Sequence, residues 1–196
     1  LLDPEFAVKD DGKVAEATTS GKCGIMFGAQ WNSIYPLQNS KNLEPEGQWQ
    51  AFPIVTATDH KAKAQTDVGT PAWTVVRKDC EHPEAVVKMY NLFIDKCWGP
   101  NNENGVYYAP LDSESIWKLS PVTPTKPDKN LKAFLDLEAA RQSGDFSQVT
   151  GEGYSILQKL QAFESGSEEG FALWGWERIY GAEGAYGVLN YYQENN

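Results

Sequence analysis

Cysteine is scarce in this chain. Cys23, Cys80 and Cys97 form an odd set without CxxC spacing, which argues against a disulfide framework and against a structural zinc held by paired thiolates. A reduced, buried set is the expectation. Histidine is scarcer still: His60 and His82 stand apart and no HExxH occurs, so no metal site is expected. Cations are outnumbered, with 17 Lys and Arg against 27 Asp and Glu and a formal net charge of −10. Nucleic acid and anionic membrane are poor partners for such a chain, because phosphate binding needs clustered Lys and Arg. No apolar run approaches the roughly 18 residues of a spanning helix. The opening Leu1-Leu2-Asp3-Pro4-Glu5 lacks the basic start and apolar core of a signal peptide. There is no GxSxG elbow, GxxxxGK[ST] loop or GxGxxG turn, so the usual nucleophile, phosphate and dinucleotide motifs are missing. No catalytic residue and no cofactor are expected.

What the chain does hold is aromatic surface. Aromatics make up 12% of the 196 residues and seven are Trp, in a length that supports one domain with a core or one lobe of a larger protein. Core packing is the ordinary fate of any single Trp, yet several together can line a cleft. The chain is organised around residues 22–35. There a short apolar run stops at Gly28, and an aromatic-polar helix start follows with Trp31 at the corner.

In chain order, residues 1–12 read as irregular, and Lys13 to Ser20 predict a short helix closed by Gly21 as its C-cap. Residues 23–27 predict a strand, 29–37 a helix ended near Pro36, and 38–47 a polar loop. Alternation through Trp49, Ala51 and Pro53 predicts a second strand; Trp73-Thr74-Val75-Val76, rich in β-branched residues, predicts a third. Between these two, residues 56–70 read as a polar connection carrying Asp59, His60 and Asp67. His82-Pro83-Glu84 is a helix start, and Val86, Met89, Tyr90, Phe93 and Cys97 then form one apolar stripe expected in the core. Residues 100–129 read as a long, mostly irregular loop. Further helices are predicted at about 130–142, 151–163 and 184–194. Between the last two lies Trp174-Gly175-Trp176-Glu177-Arg178-Ile179-Tyr180, the densest aromatic cluster. The loop-like first segment and a last segment that stops in a helical pattern read as a fragment.

Aromatic faces beside amides and charges suit carbohydrate. A sugar ring has an apolar C–H face, which a Trp ring covers, and a rim of hydroxyls, which Asn, Gln, Glu and Arg can bond. Trp31 between Gln30 and Asn32 fits this chemistry, as do Trp174, Trp176, Glu177 and Arg178. Glu177 beside Trp174 and Trp176 also imitates a glycosidase carboxylate, whose partner would lie about 5–9 Å away. Its bland alternative is a structural ion pair with Arg178.

Order along the chain carries a resemblance. Gly-Lys-Cys-Gly-Ile-Met-Phe-Gly-Ala-Gln-Trp-Asn at 21–32 resembles the "G-K-x-A-M-x-x-x-G-x-W" segment of extracellular (family 1) solute-binding proteins of carbohydrate ABC transporters. Residues 48–54 and 69–77 are similar to that family's next two strands, and His82-Pro83-Glu84-Ala85-Val86 to its "HPEA" helix start. Residues 116–121 and 174–179 look like a lipoprotein subgroup of Gram-positive bacteria. The chain departs from the pattern at Cys23, where Ala is common, and at Gln30, where Pro is common.

The resemblance implies an α/β fold: a helix-rich lobe of a periplasmic-binding-protein-like II fold with a small mixed sheet. Residues 1–196 would be a single domain, the second of two lobes that close over ligand. It implies a mono- or oligosaccharide ligand stacked on Trp31 and no enzymatic activity. The partners implied are the transmembrane permease subunits of an ABC importer. Location would be the cell surface of a Gram-positive bacterium (the periplasm of a Gram-negative one), with membrane contact only through a lipid anchor outside this fragment. A lone lobe presents half a cleft, so weak binding is expected. Peptide or another solute is the nearest rival ligand. A glycoside-active enzyme or a cell-surface carbohydrate-adhesion module are the rival classes.

Overall fold

The computed structural model describes residues 2–54, 56–60, 62, 72–100, 103–108, 116–149 and 151–195. Its described elements are helical: α1 Asp11–Thr19, α2 Leu37–Leu43, α3 Glu84–Trp98, α4 Asn104–Tyr107, α5 Lys129–Ser143, α6 Gly151–Glu164, α7 Glu168–Phe171, α8 Trp174–Tyr180 and α9 Ala185–Asn195, with 3₁₀ turns at Gln30–Ser33 and Ile116–Lys118. The chain divides into two compact units, the first made of residues 1–62 and 158–196, the second of 63–157.

No β-strand occurs among the described residues, which overturns the expected α/β lobe and its mixed sheet. The segments expected as strands are irregular instead, and most of their large apolar side chains face outward: Ile25 and Phe27 are each 82% exposed and Trp73 is 83% exposed, while Trp49 is half-buried. Strand propensity measures fit to a pleated, half-buried surface, so it acts only where a neighbouring strand supplies that surface. Glycines 24 and 28 and Pro53 interrupt two of the segments and weaken any ladder. Most of the polar connection at 56–70, Asp67 included, lies outside the described residues.

In the second unit, α3 follows the predicted stripe. Phe93 and Cys97 are buried with Tyr108 and Val122, and Met89, Tyr90 and Trp98 pack around them. Tyr108 meets Phe93 edge-on at 6.3 Å and Trp98 at 4.8 Å, and stacks on Trp117 at 6.1 Å. The long segment after α3 is therefore tied to the core, by Tyr108, Val122 and a bond from Trp98 Nε1 to the Pro124 carbonyl at 2.9 Å. Lys129 closes this cluster. Its ammonium bonds Glu152 at 2.9 and 3.2 Å and lies over the rings of Tyr108 and Trp98 at 5.4 and 5.9 Å. Residues 101, 102 and 109–115 of the predicted loop fall outside the described residues.

The buried pair Cys97 and Tyr108 sets an alkaline limit. Burial pushes the Cys97 thiol above its ordinary 9.0. Burial, then the nearby Glu152 carboxylate and Cys97, push the Tyr108 phenol well above its ordinary 10.0. Unfolded chains shed these protons at the ordinary values while the folded state keeps them. The stability they support is complete below about pH 9 and falls as pH rises through the raised folded values. Urea midpoints measured from pH 8 to 11 should decline above about pH 9, with a shallower decline in Tyr108→Phe.

In the first unit, α1 has Asp10 as N-cap, its carboxylate accepting from Lys13 N at 2.9 Å. At the other end Gly21 has φ +73°, and the Lys22 and Gly21 amides return to the carbonyls of Ala17 and Thr18 at 2.9 and 3.2 Å. That is a Schellman cap, as the position of Gly21 predicted. The predicted 29–37 helix is only the 3₁₀ turn Gln30–Ser33. The predicted 38–47 loop is instead mostly α2, whose Gln38, Ser40 and Lys41 are buried. Helix prediction relies on an apolar stripe, and α2 turns a polar one inward because each group finds a partner. Gln38 Oε1 accepts from Gly175 N at 2.8 Å and its Nε2 donates to the Phe171 carbonyl at 3.1 Å. Ser40 Oγ accepts from Trp49 Nε1 at 3.1 Å.

Candidate functional site

The candidate site is built on α8 and the 3₁₀ turn packed against it. Leu173, the residue before α8, offers no side-chain cap, and the first amides of a helix have no partner within it. Gln38 supplies one from α2. Gly175 then lets the turn come close, because a Cβ there would overlap the Ser33 carbonyl oxygen and lie 2.8 Å from Ile34 Cα. These two contacts place Gln30, Trp31 and Asn32 beside α8.

Of the seven residues expected to bind ligand, six lie at the surface of this arrangement or just beneath it. Trp31 is 55% exposed. Gln30 is half-buried and donates from Nε2 to the Tyr186 hydroxyl at 3.3 Å. Asn32 is half-buried with its amide over Gly28. Trp176 is half-buried and has one face engaged: the Lys159 ammonium lies 4.7 Å from its ring centre. Trp176 also continues a stack through Tyr180, at 6.1 Å, to Tyr186, at 5.1 Å beyond. Glu177 and Arg178 form an ion pair, with Arg178 Nε 2.6 Å from Glu177 Oε2.

Trp174 is the exception. It is 2% exposed in the core, with the Lys41 ammonium 5.8 Å from its ring centre. It holds α8 to α2 and has no face for a ligand. At helical spacing, Trp174 and Trp176 point in different directions, so two aromatics adjacent in sequence serve different surfaces.

The sequence reading missed Gln50, which the fold brings to Arg178. Arg178 Nη1 donates to Gln50 Oε1 at 3.1 Å, and Gln50 Nε2 donates to the Glu183 carbonyl at 3.1 Å. Glu177, Arg178 and Gln50 thus form one chain of planar polar groups. Gln50 beside Trp49 carries the same amide–Trp signature as Trp31, within a segment whose alternation predicts a strand. Next to Gln50 opens a groove of about 410 Å³, lined by Pro53, Gly184, Gly187, Val188 and Tyr191 among others.

Among the described residues, no group of three His, Cys, Asp or Glu is placed to hold a metal ion. No described helix is long and apolar enough to cross a membrane. Cys23, Cys80 and Cys97 form no disulfide with one another, and only Cys97 of the three is buried; Cys80 is exposed, against the expectation of a buried set. What this arrangement offers chemically is an open indole with fixed amide, carboxylate and guanidinium groups on the packed elements. No protein-family model, no curated protein and no solved structure matches the chain.

Proposed function

We propose that the first unit binds carbohydrate, with a sugar ring on Trp31 and its hydroxyls toward the polar groups carried by the 3₁₀ turn, α8 and residue 50. One observation carries the reading: an exposed indole stands on a turn packed against the helix that holds Glu177, Arg178 and, through Arg178, Gln50 in one hydrogen-bonded row. Planar groups already fixed by one another lose little freedom on binding. The resemblance of residues 21–32 and 82–86 adds the finer part. The sugar would be delivered to the permease subunits of an ABC importer at the cell surface.

A glycoside-active enzyme is less well supported. A general acid needs its carboxyl free to give a proton to the leaving oxygen, whereas Glu177 Oε2 is engaged by Arg178.

The reading predicts a saturable change in Trp fluorescence on titration with glucose, maltose or cellobiose. Dissociation constants should fall in the millimolar range, about 4 kcal/mol of binding free energy. Trp31→Ala should abolish the response. A flat response to every sugar, or an unchanged one in Trp31→Ala, would remove the proposal.

A further inference from the structure

We propose that the groove beside Gln50 binds a small organic ammonium ion, its cationic end toward Glu183 and its apolar body against Pro53, Val188 and Tyr191. This inference does not rest on the carbohydrate reading.

The groove, at about 410 Å³, has the size of a small-ligand site. Its lining is chiefly apolar. Pro53, Ala182 and Val188 contribute aliphatic area, and Tyr191, at 56% exposure, contributes an aromatic ring. Among the described lining residues, Glu183 alone carries a formal charge.

The chain that bears Glu183 is held in place. Gly184 N donates to the Gly181 carbonyl at 2.9 Å and closes a tight turn. A Cβ at Gly184 would lie 2.5 Å from the Ile179 carbonyl oxygen, so the turn sits directly on the end of α8. Gln50 Nε2 then donates to the Glu183 carbonyl at 3.1 Å. The Glu183 carboxylate itself makes no ion pair among the described residues. Arg178, which reaches Gln50, already has its charge met by Glu177, with Nε 2.6 Å from Oε2, so it offsets little of the Glu183 field.

The ligand class follows from these surfaces. A carboxylate beside an apolar wall attracts a cation and repels an anion, because the wall keeps water from screening the charge fully. The face of a phenol ring carries negative potential and attracts an ammonium as well. An apolar body on the ligand releases water from Pro53 and Val188. A neutral ligand of the same shape gains only this last contribution. The formal net charge of −10 attracts any cation to the chain, and removing an acid elsewhere separates that background from the groove.

Ligand-observed NMR titrations of the full chain with benzylammonium, benzyl alcohol and phenylacetate test the site. Wild type should bind benzylammonium in the millimolar range and about tenfold more tightly than benzyl alcohol, a difference of about 1.4 kcal/mol. Phenylacetate should bind most weakly. Glu183→Gln should lose the preference for the ammonium and keep its affinity for the alcohol. Tyr191→Ala should weaken both, and Tyr191→Phe, which retains the ring, should keep both. Glu16→Gln removes an exposed acid on α1 and should keep the preference, as should Trp31→Ala. No binding of benzylammonium overturns the proposal, and so does equal binding of the alcohol or of phenylacetate. A preference lost as fully in Glu16→Gln as in Glu183→Gln would show attraction to net charge alone. A loss in Trp31→Ala would put the ligand at the indole instead. Either result overturns the groove as the site, whereas failure of the sugar titration leaves it standing. Glu183 and Tyr191 are exposed, so neither substitution opens the core, and unchanged circular dichroism spectra check this.

Discussion

Gly175→Ala is expected to destabilise the protein by about 3 kcal/mol, the upper range for forcing an extra carbon into a packed site. The added Cβ would overlap the Ser33 carbonyl oxygen and approach Ser33 C and Ile34 Cα at 2.8 Å. All three are backbone atoms, so no side chain can turn aside. The 3₁₀ turn must move off α8, or α8 must move off the Gln38 cap. Either shift displaces Gln30, Trp31 and Asn32, and the sugar response should fall with the stability. Gly24→Ala is the control. Nothing lies within 4 Å of a Cβ there, and a change within about 0.5 kcal/mol is expected. Urea denaturation of both variants measures the difference. Equal midpoints for Gly175→Ala and wild type would show that the turn does not rest on α8 as described.

Lys41→Met is the second large effect, about 2–4 kcal/mol. Lys41 is 6% exposed, yet it carries a charge. Its ammonium donates to the carbonyls of Pro45 and Gly47 at 2.5 and 3.0 Å and lies 5.9 and 5.8 Å from the ring centres of Phe171 and Trp174. It thus closes the chain leaving α2 and holds it against the ring that anchors α8. Methionine fills the same volume but donates nothing. Two carbonyls lose their donor, at about 1–3 kcal/mol for each one left buried, and the cation–ring attraction is lost as well. Removing a buried charge recovers some desolvation cost, which is why the expected loss is smaller than the sum. Thermal denaturation of the variant, with Lys41→Arg beside it, separates lost packing from lost charge. If methionine is as stable as lysine, the bonds to Pro45 and Gly47 contribute nothing net.

The residues of the candidate site were legible in the sequence to an uneven degree. Trp31 between Gln30 and Asn32 fits sugar-stacking chemistry in the sequence, and the structure leaves that indole exposed. The Glu177–Arg178 pair was foreseen as the bland alternative, and it is formed. Trp174 was grouped with Trp176 because both lie in one short aromatic run. Helical geometry turned one inward and left the other half-exposed. Gln50 joined the site through contacts more than a hundred residues away, to Arg178 and Glu183, and no local pattern announces such a contact.

The long helices are legible in local spacing alone. Glu84–Trp98, Lys129–Ser143, Gly151–Glu164 and Ala185–Asn195 lie within one or two residues of where spacing and Pro83 put them. Helix hydrogen bonds run between residues four apart, so a helix is specified by residues that a short window contains. Three other features depend on contacts made by the folded chain. The apolar runs at 23–27 and 73–76 do not form strands, because a strand needs a remote neighbour to complete its hydrogen bonds. The polar stretch 37–43 is a helix, because Gln38, Ser40 and Lys41 meet partners on α7, α8 and the loop after α2. Trp31 stands open while Trp174 is enclosed, because Gly175 admits the turn against one side of α8 and Lys41 covers the other. For Gln38 and for Lys41 over Trp174 the deciding partner lies more than a hundred residues away, where burial and hydrogen bonding are settled by the fold as a whole.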